Sequence, residues 1–308
     1  MEFGTAVLIG ITFIAAFVNG ALGYGFSSIT VPVALLFFAN RVLNPALVLI
    51  EVFVNLCALF VNRASVPRVW NRVYPIVLGL LPGVLFGSYL LASIHPRWMK
   101  LVTYSVLLPL ILLQAAGARR PIRSERLVGV PFGTGLGFLY SITTISGPPI
   151  ALLLNNQRFV KQEFRAGLAI VRVAESLLTA IAYYHLGLFT MQSFNLVSFI
   201  VPGLLIGIPL GAYLIRNVDA DVFQRVCISF DVAIVGFGLS QVVLELKLER
   251  GMSAYSPLLI GMILDGFLLY TFFRQRGRTA AAASSDFGAP LPENNLKVDT
   301  VLENRPAD

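Results

Sequence analysis

The stretch GALGYGFSSITVP, from Gly20 to Pro32, decides the fold of this chain. It lies inside a hydrophobic segment, residues 3–39, in which an ordinary membrane helix would show unbroken aliphatic residues. Its three glycines weaken a helix, and Pro32 removes a backbone donor and clashes with the carbonyl four residues earlier. We therefore expect a helix to break here. The backbone groups that a break leaves unpaired are tolerated at membrane depth only within protein or around a watery cavity.

A second copy of this pattern, GTGLGFLYSITTISGPP, runs from Gly133 to Pro149. It again combines glycines and hydroxyl side chains with a proline stop. One broken hydrophobic segment in each half of a chain is the best sequence indication of the binding site of a transporter.

The composition argues for a membrane protein. The 308 residues are 56% hydrophobic and 13% charged, and the mean hydropathy is +0.79. Soluble domains carry about 25% charged residues. The net charge of +7 does not indicate nucleic-acid binding, because the basic residues lie in short loops between apolar spans, as the positive-inside rule expects. No Lys or Arg precedes the first apolar run, so we expect a retained first helix and no removed signal peptide.

Further apolar segments are long enough to cross about 30 Å of hydrocarbon. They occupy residues 45–61, 73–94, 98–116, 166–188, 194–215, 222–244 and 254–273, while the second broken segment occupies residues 127–155. The residues after 278 have too little apolar content to pack. The predicted regions are a first transmembrane repeat, a second repeat, an additional helix and a disordered cytoplasmic tail, at residues 1–117, 127–245, 254–274 and 279–308 respectively.

The two halves resemble each other. GLLPGVLFGSYLL at residues 79–91 matches GLLIGIPLGAYLI at residues 203–215, and in both stretches glycine recurs every four residues. Such a strip lies on one helix face and suits close packing against another helix. Two matched strips indicate a duplicated unit.

The loop charges predict how the two halves are oriented. The basic loops are residues 63–72, 119–126, 158–165 and 274–278, and the loop at 185–193 has no Lys or Arg. The loops at 119–126 and 158–165 both face the cytoplasm only if the broken segment between them enters and returns. Each half then makes an odd number of passages. The predicted fold is an all-α polytopic membrane protein with two homologous repeats, each opening with a broken, re-entrant helix. Inverted repeats are favoured, and parallel repeats are the alternative.

No catalytic constellation is visible in the sequence. His95 and His185 lie near the ends of different spans, with no nucleophile placed for either. Cys57 and Cys227 lie within apolar spans and are expected to pack there, since no Cys/His cluster is present. We therefore predict that the chain is not an enzyme and has no cofactor or metal.

Charges inside the spans are more informative, because an ionisable group in a membrane is costly and usually has a partner or a task. They are Glu51, Arg172, Glu175, Asp231 and Asp265. Arg172 and Glu175 share one helix face, where they can pair for a structural or a functional reason, and Glu51 has a similar relation to Asn55. Glu51 can stay protonated or take part in proton transfer. We predict Glu51 and Glu175 as coupling residues, and structural roles for Asp231 and Asp265.

The short second arms of the broken segments offer free N–H groups and hydroxyls, which suit a small oxyanion or carboxylate. An alternative is that the hydroxyls only cap the broken helices. The predicted substrate-binding residues are Asn19, Gly23, Gly25, Ser27, Ser28, Thr143, Thr144, Ser146, Gly147 and Arg172.

Three motifs carry a resemblance to a known family: GALGYGF with the following VPVALL, SGPP at Ser146–Pro149, and FRAGL at Phe164–Leu168. Over about residues 5–245 the chain resembles the sulfite exporter TauE/SafE family, also called TSUP. The resemblance implies a multi-pass carrier in the bacterial inner membrane that moves sulfur-containing anions such as sulfite, sulfonates or sulfoacetate.

We therefore predict a secondary carrier that exports a small sulfur-containing anion, with coupling to protons as one open mode. The alternatives are a membrane-embedded assembly or interaction factor and an anion channel. The predicted partners are the anionic substrate and the lipid bilayer but no nucleic acid, and a homodimer is left open.

Overall fold

The computed structural model describes residues 2–117, 125–156, 161–214, 219–249 and 251–286. Within these ranges the chain is helical and has no strand. The α-helices are α1 (Glu2–Leu22), α2 (Phe26–Ala34), α3 (Asn40–Val61), α4 (Val66–Ser93), α5 (Pro96–Ala115), α6 (Glu125–Thr143), α7 (Gly147–Asn156), α8 (Lys161–His185), α9 (Met191–Leu214), α10 (Ala220–Glu245) and α11 (Ser256–Asp286). Two compact units are distinguished, residues 1–269 and residues 270–308. The helix breaks, the glycine contacts and the cavity described below belong to the first unit.

The predicted all-α polytopic fold is confirmed. Among the described residues, 8 helices are long and apolar enough to cross a membrane: α1, α3, α4, α5, α8, α9, α10 and α11. The apolar part of α6 is shorter, and α2 and α7 have only 9 and 10 residues. At about 1.5 Å per residue, α2 and α7 cannot cross about 30 Å of hydrocarbon.

Both predicted helix breaks are present. Gly23 and Gly25 separate α1 from α2 with φ angles of 83° and 109°, a region of backbone conformation that favours glycine. The break between α6 and α7 contains Thr144 with φ 56°. This value is unusual for a β-branched residue, and such backbone strain persists only where the surrounding structure holds it.

Each broken segment enters and leaves at one end of the helix bundle. At the first break, the rings of Phe3 and Phe37 are 5.9 Å apart, so the start of α1 lies beside the chain that follows α2. Around the second break, Gly167 near the start of α8 packs against Val73 near the start of α4. Because α6 also starts at this end of α4, the α6–α7 segment returns to the end at which it began.

The glycine strips pack closely against other helices, as predicted, and in both cases the partner helix belongs to the other half of the chain. A Cβ atom at Gly79 would lie 2.2 Å from the carbonyl oxygen of Val130, and one at Gly83 would lie 2.0 Å from that of Thr134. The strip on α4 therefore packs backbone-to-backbone on α6, and the two helices run parallel. In the same way, the strip on α9 packs on α1, where a Cβ atom at Gly211 would lie 1.9 Å from the carbonyl oxygen of Phe17.

Several helix boundaries differ from the predicted spans. α3 and α4 begin at Asn40 and Val66, earlier than the predicted residues 45 and 73. Pro67 lies in the first turn of α4, where proline is tolerated, whereas Pro45 lies inside α3. α11 continues to residue 286, past the predicted end at 274 and into the predicted disordered tail. The four alanines at residues 280–283 favour this extension, since Ala is the best helix former. The rest of the tail and most of the loops at 119–126 and 158–165 lie outside the described residues.

Candidate functional site

A small cavity lies where the two broken segments meet. It is lined by Gly25, Ser27, Ser28, Thr144, Ile145, Ser146, Gly147 and Arg172. The cavity and the open space at its mouth together amount to about 180 Å³, but only about 10 Å³ of this admits the centre of a water molecule. In this conformation it therefore has room for about one water.

The cavity brings together residues from both halves of the chain. Gly25 caps the start of α2, and Gly147 begins α7, so the N-termini of both short helices lie at the cavity. The two breaks also touch, because a Cβ atom at Gly147 would lie 3.2 Å from the Cβ of Tyr24. The hydroxyl of Tyr24 in turn accepts a hydrogen bond of 2.6 Å from Gln224 on α10.

Glu51, in the middle of α3, is the most connected buried group beside the cavity. Its Oε1 accepts a hydrogen bond from the Ser27 hydroxyl and lies 3.2 Å from Nη2 of Arg172. Its Oε2 accepts a hydrogen bond of 2.6 Å from the hydroxyl of Tyr140. Its three donors come from α2, α6 and α8, so this carboxylate ties both halves of the chain together.

Glu175 has a different environment. It is completely buried, and its Oε2 accepts a hydrogen bond of 2.5 Å from Ser146. Its Oε1 has no hydrogen-bond partner among the described residues. The predicted pair of Arg172 with Glu175 is therefore wrong, because Arg172 reaches across to Glu51 on α3. Asn55 also does not bind Glu51 but donates to the carbonyl oxygen of Arg172 at 3.3 Å.

Buried side chains satisfy carbonyl groups near the ends of α2 and α6. Near the end of α2, the hydroxyl of Tyr104 donates to the carbonyl oxygen of Pro32 at 2.7 Å. At the end of α6, the carbonyl oxygen of Ser141 accepts 2.6 Å from the Tyr183 hydroxyl, and that of Ile142 accepts 2.8 Å from Asn44. Since a carbonyl without a partner is costly at membrane depth, these contacts hold the breaks in place.

Seven of the ten predicted substrate-binding residues line the cavity, and three do not. Asn19 is buried in α1, and its Oδ1 has no partner among the described residues. Gly23 forms the turn of the first break. Thr143 caps its own break, since its Oγ1 donates to the carbonyl oxygen of Leu139 and accepts from the N–H of Ile145. Thr143 therefore has the alternative capping role, and substrate binding by the other residues stays a prediction.

Two contributors to this region are absent from the predicted site. Ile145 lines the cavity, and Tyr140 holds Glu51. Both lie in the second broken stretch, where the prediction rests on glycines and small hydroxyl side chains. The sequence signal for Tyr140 is a phenol one helical turn before the break, at a depth where a buried hydroxyl needs a hydrogen-bond partner.

Three other buried charges lie away from the cavity. Asp265 on α11 lies 2.8 Å from Nη2 of Arg225 on α10, which agrees with the predicted structural role for Asp265. Arg225 was not among the predicted intramembrane charges. Asp231 is also buried, and its Oδ1 has no partner among the described residues. Within the part of the chain that the structure describes, no group of three or more His, Cys, Asp or Glu could hold a metal ion.

Paired broken helices that present hydroxyls and one arginine to a shared cavity are the arrangement of a membrane transporter. The family model described as sulfite exporter TauE/SafE matches residues 8–238. The chain therefore belongs to the sulfite exporter TauE/SafE family of membrane transporters. No curated protein and no solved structure matches the chain.

Proposed function

We propose that this chain is a proton-coupled secondary carrier that exports a small sulfur-containing oxyanion, such as sulfite, across the bacterial inner membrane. The observation that carries this proposal is the cavity between the two broken segments, with its hydroxyls and Arg172. Family membership supports a transporter of the sulfite-exporter type, and the chemistry of the cavity supports an anion.

The cavity offers three kinds of positive potential to an anion. Arg172 is the only charged residue among the described ones that line it. The N-termini of α2 and α7 add partial positive charge. The first turn of α2 also adds free N–H groups, whereas Pro148 and Pro149 leave α7 only the N–H of Gly147 in its first three residues. Hydroxyls of Ser28 and Thr144 add further donors, although each now bonds a nearby carbonyl oxygen, that of Gly25 and that of Thr143 respectively.

The surrounding charges support coupling to protons. Glu51, Glu175 and Arg172 are all buried in this region. With both carboxylates ionised, the three groups carry a net charge of −1, which repels an anion where the dielectric constant is low. A proton taken up by one carboxylate would make the site neutral before the anion enters.

The cavity must widen for transport, since it now has room for about one water. Alternating access in carriers with paired repeats moves one bundle against the other around a fixed site. The α1–α9 and α4–α6 contacts are close and glycine-lined. The two bundles that they form are suited to move as bodies.

Transport is tested in everted membrane vesicles that contain the full chain, supplied with radiolabelled sulfite. We expect saturable uptake that is absent from matched vesicles without the protein. We also expect the rate to change when a protonophore removes the pH gradient. If neither sulfite nor a sulfonate is taken up, the carrier proposal fails and the assembly-factor alternative gains support. A rate that rises without saturation would instead favour a channel.

A further inference from the structure

Ser27 and Ser146 line the cavity beside Arg172, but their hydroxyl hydrogens do not point into the cavity. Ser27 donates to Glu51, and Ser146 donates to Glu175 at 2.5 Å. A hydroxyl has a single hydrogen and otherwise only lone pairs. While these bonds persist, both serines present lone pairs to the cavity, and lone pairs repel an oxyanion. In this conformation, two of the residues expected to bind the anion therefore have no hydroxyl hydrogen available to donate to it.

The two glutamates differ in how readily they can release their serine. Glu51 is held by Ser27, by Tyr140 and by the guanidinium of Arg172. Glu175 has one described donor, Ser146, and an Oε1 atom without a partner among the described residues. Protonating Glu175 therefore breaks no ion pair, whereas protonating Glu51 would weaken its pair with Arg172.

We propose that Ser146 and Glu175 form a proton-operated hydroxyl switch that makes anion binding depend on a proton. The proposal rests on the carrier function above. A proton from water binds a carboxylate oxygen of Glu175, and the new carboxyl O–H donates to the Ser146 oxygen. The Ser146 O–H bond stays intact but rotates into the cavity, where it donates to an oxygen of the anion. When the anion leaves, the hydroxyl turns back and the proton returns to water.

The groups that face Glu175 set when this switch operates. The charged neighbours of Glu175 are Arg172, which lies one turn away on the same helix, and Glu51 on α3. Tyr140 on α6 also lies within electrostatic range. An anion beside Arg172 offsets the guanidinium charge, so anion binding and proton binding favour each other.

The switch implies that the anion and the proton move in the same direction. Net transport then follows the sum of the two gradients. For a monoanion and an exterior one pH unit more acidic, export begins once the internal concentration exceeds the external one about tenfold, since each pH unit is a tenfold proton ratio. The carrier would therefore act as a relief path for an anion that accumulates inside the cell.

The first experiment measures coupling in proteoliposomes of the full chain, with an alkaline interior, an acidic exterior and labelled methanesulfonate outside, because a sulfonate keeps one negative charge over this pH range whereas sulfite itself takes up a proton. After subtraction of protein-free liposomes, the wild type should accumulate the sulfonate, to a limit of about tenfold per pH unit. Glu175→Gln should still exchange the sulfonate at equal pH but should accumulate it to a ratio of about one. Ser28→Ala is the matched control, since Ser28 lines the cavity without a carboxylate partner. It should slow transport and keep the accumulation ratio.

The second experiment separates the hydroxyl from simple charge removal. The amide of Glu175→Gln donates permanently to Ser146, so at alkaline pH this variant should bind sulfite more tightly than the wild type. A hydrogen bond to a charged group is worth about 10- to 100-fold in affinity, so this gain should shrink by at least about tenfold in the Ser146→Ala background. Calorimetry on the purified full chain measures all four affinities.

The outcomes distinguish this proposal from the carrier function. If the wild type moves no anion, the carrier function itself fails. If the wild type moves the sulfonate but Glu175→Gln still accumulates it, or the gain in affinity is equal in both backgrounds, the switch is wrong and the carrier function stands. If Glu175→Gln does not elute as a folded protein, the accumulation ratios of Ser146→Ala and Ser28→Ala are compared instead. A wild-type ratio in Ser146→Ala would overturn the switch. A ratio of about one in Ser146→Ala, with a wild-type ratio in Ser28→Ala, would support it.

Discussion

Arg172 contacts both the cavity and Glu51: it lines the cavity, and its Nη2 atom lies 3.2 Å from Oε1 of Glu51. Its Nε atom has no hydrogen-bond partner among the described residues. A buried ion pair contributes little net stability, because the desolvation cost offsets the attraction, so such a pair is retained more readily for a task than for stability. The unpartnered donor of Arg172 fits the task of receiving an anion.

At this scale we predict that Arg172→Ala abolishes transport. Without the guanidinium, an anion entering the cavity loses a countercharge worth about 3 kcal/mol, which corresponds to at least about a 100-fold lower transport rate at low substrate concentration. Initial rates of labelled sulfite uptake measure this loss.

The control for that prediction addresses folding. Arg172→Ala leaves Glu51 buried without its cation, and such a charge costs about 3–5 kcal/mol of stability. The double variant Arg172→Ala with Glu51→Gln removes both charges, so it should regain thermal stability without regaining transport. Normal transport by either folded variant would make the ion pair structural and the assignment of Arg172 wrong.

At the scale of elements, each glycine strip packs against a helix of the other half of the chain. The strip on α4 packs on α6, and the strip on α9 packs on α1. Lipid tails are as apolar as the helix surfaces, so close backbone packing must supply what the hydrophobic effect supplies in water. The fourth helix of each half thus holds the first helix of the other half, and with it the start of the other helix break.

We predict that Gly83→Ala separates α4 from α6, whereas Gly135→Ala does not. A Cβ atom at Gly83 would lie 2.0 Å from the carbonyl oxygen of Thr134, a contact that only a backbone shift can relieve. A Cβ atom at Gly135 on α6 would meet nothing within 4 Å. Gly83→Ala should lower stability by about 3 kcal/mol, while Gly135→Ala should be neutral or raise it by up to about 1 kcal/mol.

Thermal unfolding of the two variants in detergent compares these stabilities. Because the substitutions are chemically identical and lie on neighbouring helices, their difference isolates the helix contact. Equal unfolding midpoints would show that the α4–α6 spacing is not set by glycine.

At the scale of the whole molecule, helix directions support the prediction of inverted repeats. α6 is parallel to α4, and α9 is parallel to α1. α3 starts at the end of the bundle where α1 starts, and α4 follows it through a short turn at residues 62–65, so a membrane-spanning α4 must run back. α6 therefore runs opposite to α1, its counterpart, as two inverted halves require.

We predict that residue 64 faces the cytoplasm and residue 192 faces the outside. Ala64 and Gln192 are suitable labelling sites because they are exposed, whereas the adjacent Ser65 and Ser193 are buried. In a chain with Cys57 and Cys227 replaced by alanine, Ala64→Cys should react with an impermeant thiol reagent only in everted vesicles, and Gln192→Cys only in intact cells. Labelling of both from the same side would contradict a returning second segment.

Hydropathy and helix-breaking residues determined the all-α membrane fold, the two breaks and the close contacts of the glycine strips. These are properties of local sequence: the length of an apolar run, the missing N–H of Pro32, and the missing side chains of glycine. The grouping of Ser27, Ser146 and Arg172 around one cavity also followed, because the duplicated breaks imply a shared site.

Only the tertiary structure decided which partner each buried charge takes. Sequence spacing offered Arg172 a neighbour on its own helix, but the packing of α8 on α3 placed Glu51 in reach instead. In the same packing, Glu175 accepts a hydrogen bond from Ser146, and Tyr140 on a third helix donates one to Glu51. The physical reason is that spacing along a helix fixes which side chains share a face, whereas hydrogen bonds between helices depend on how deep each helix sits and how it is rotated.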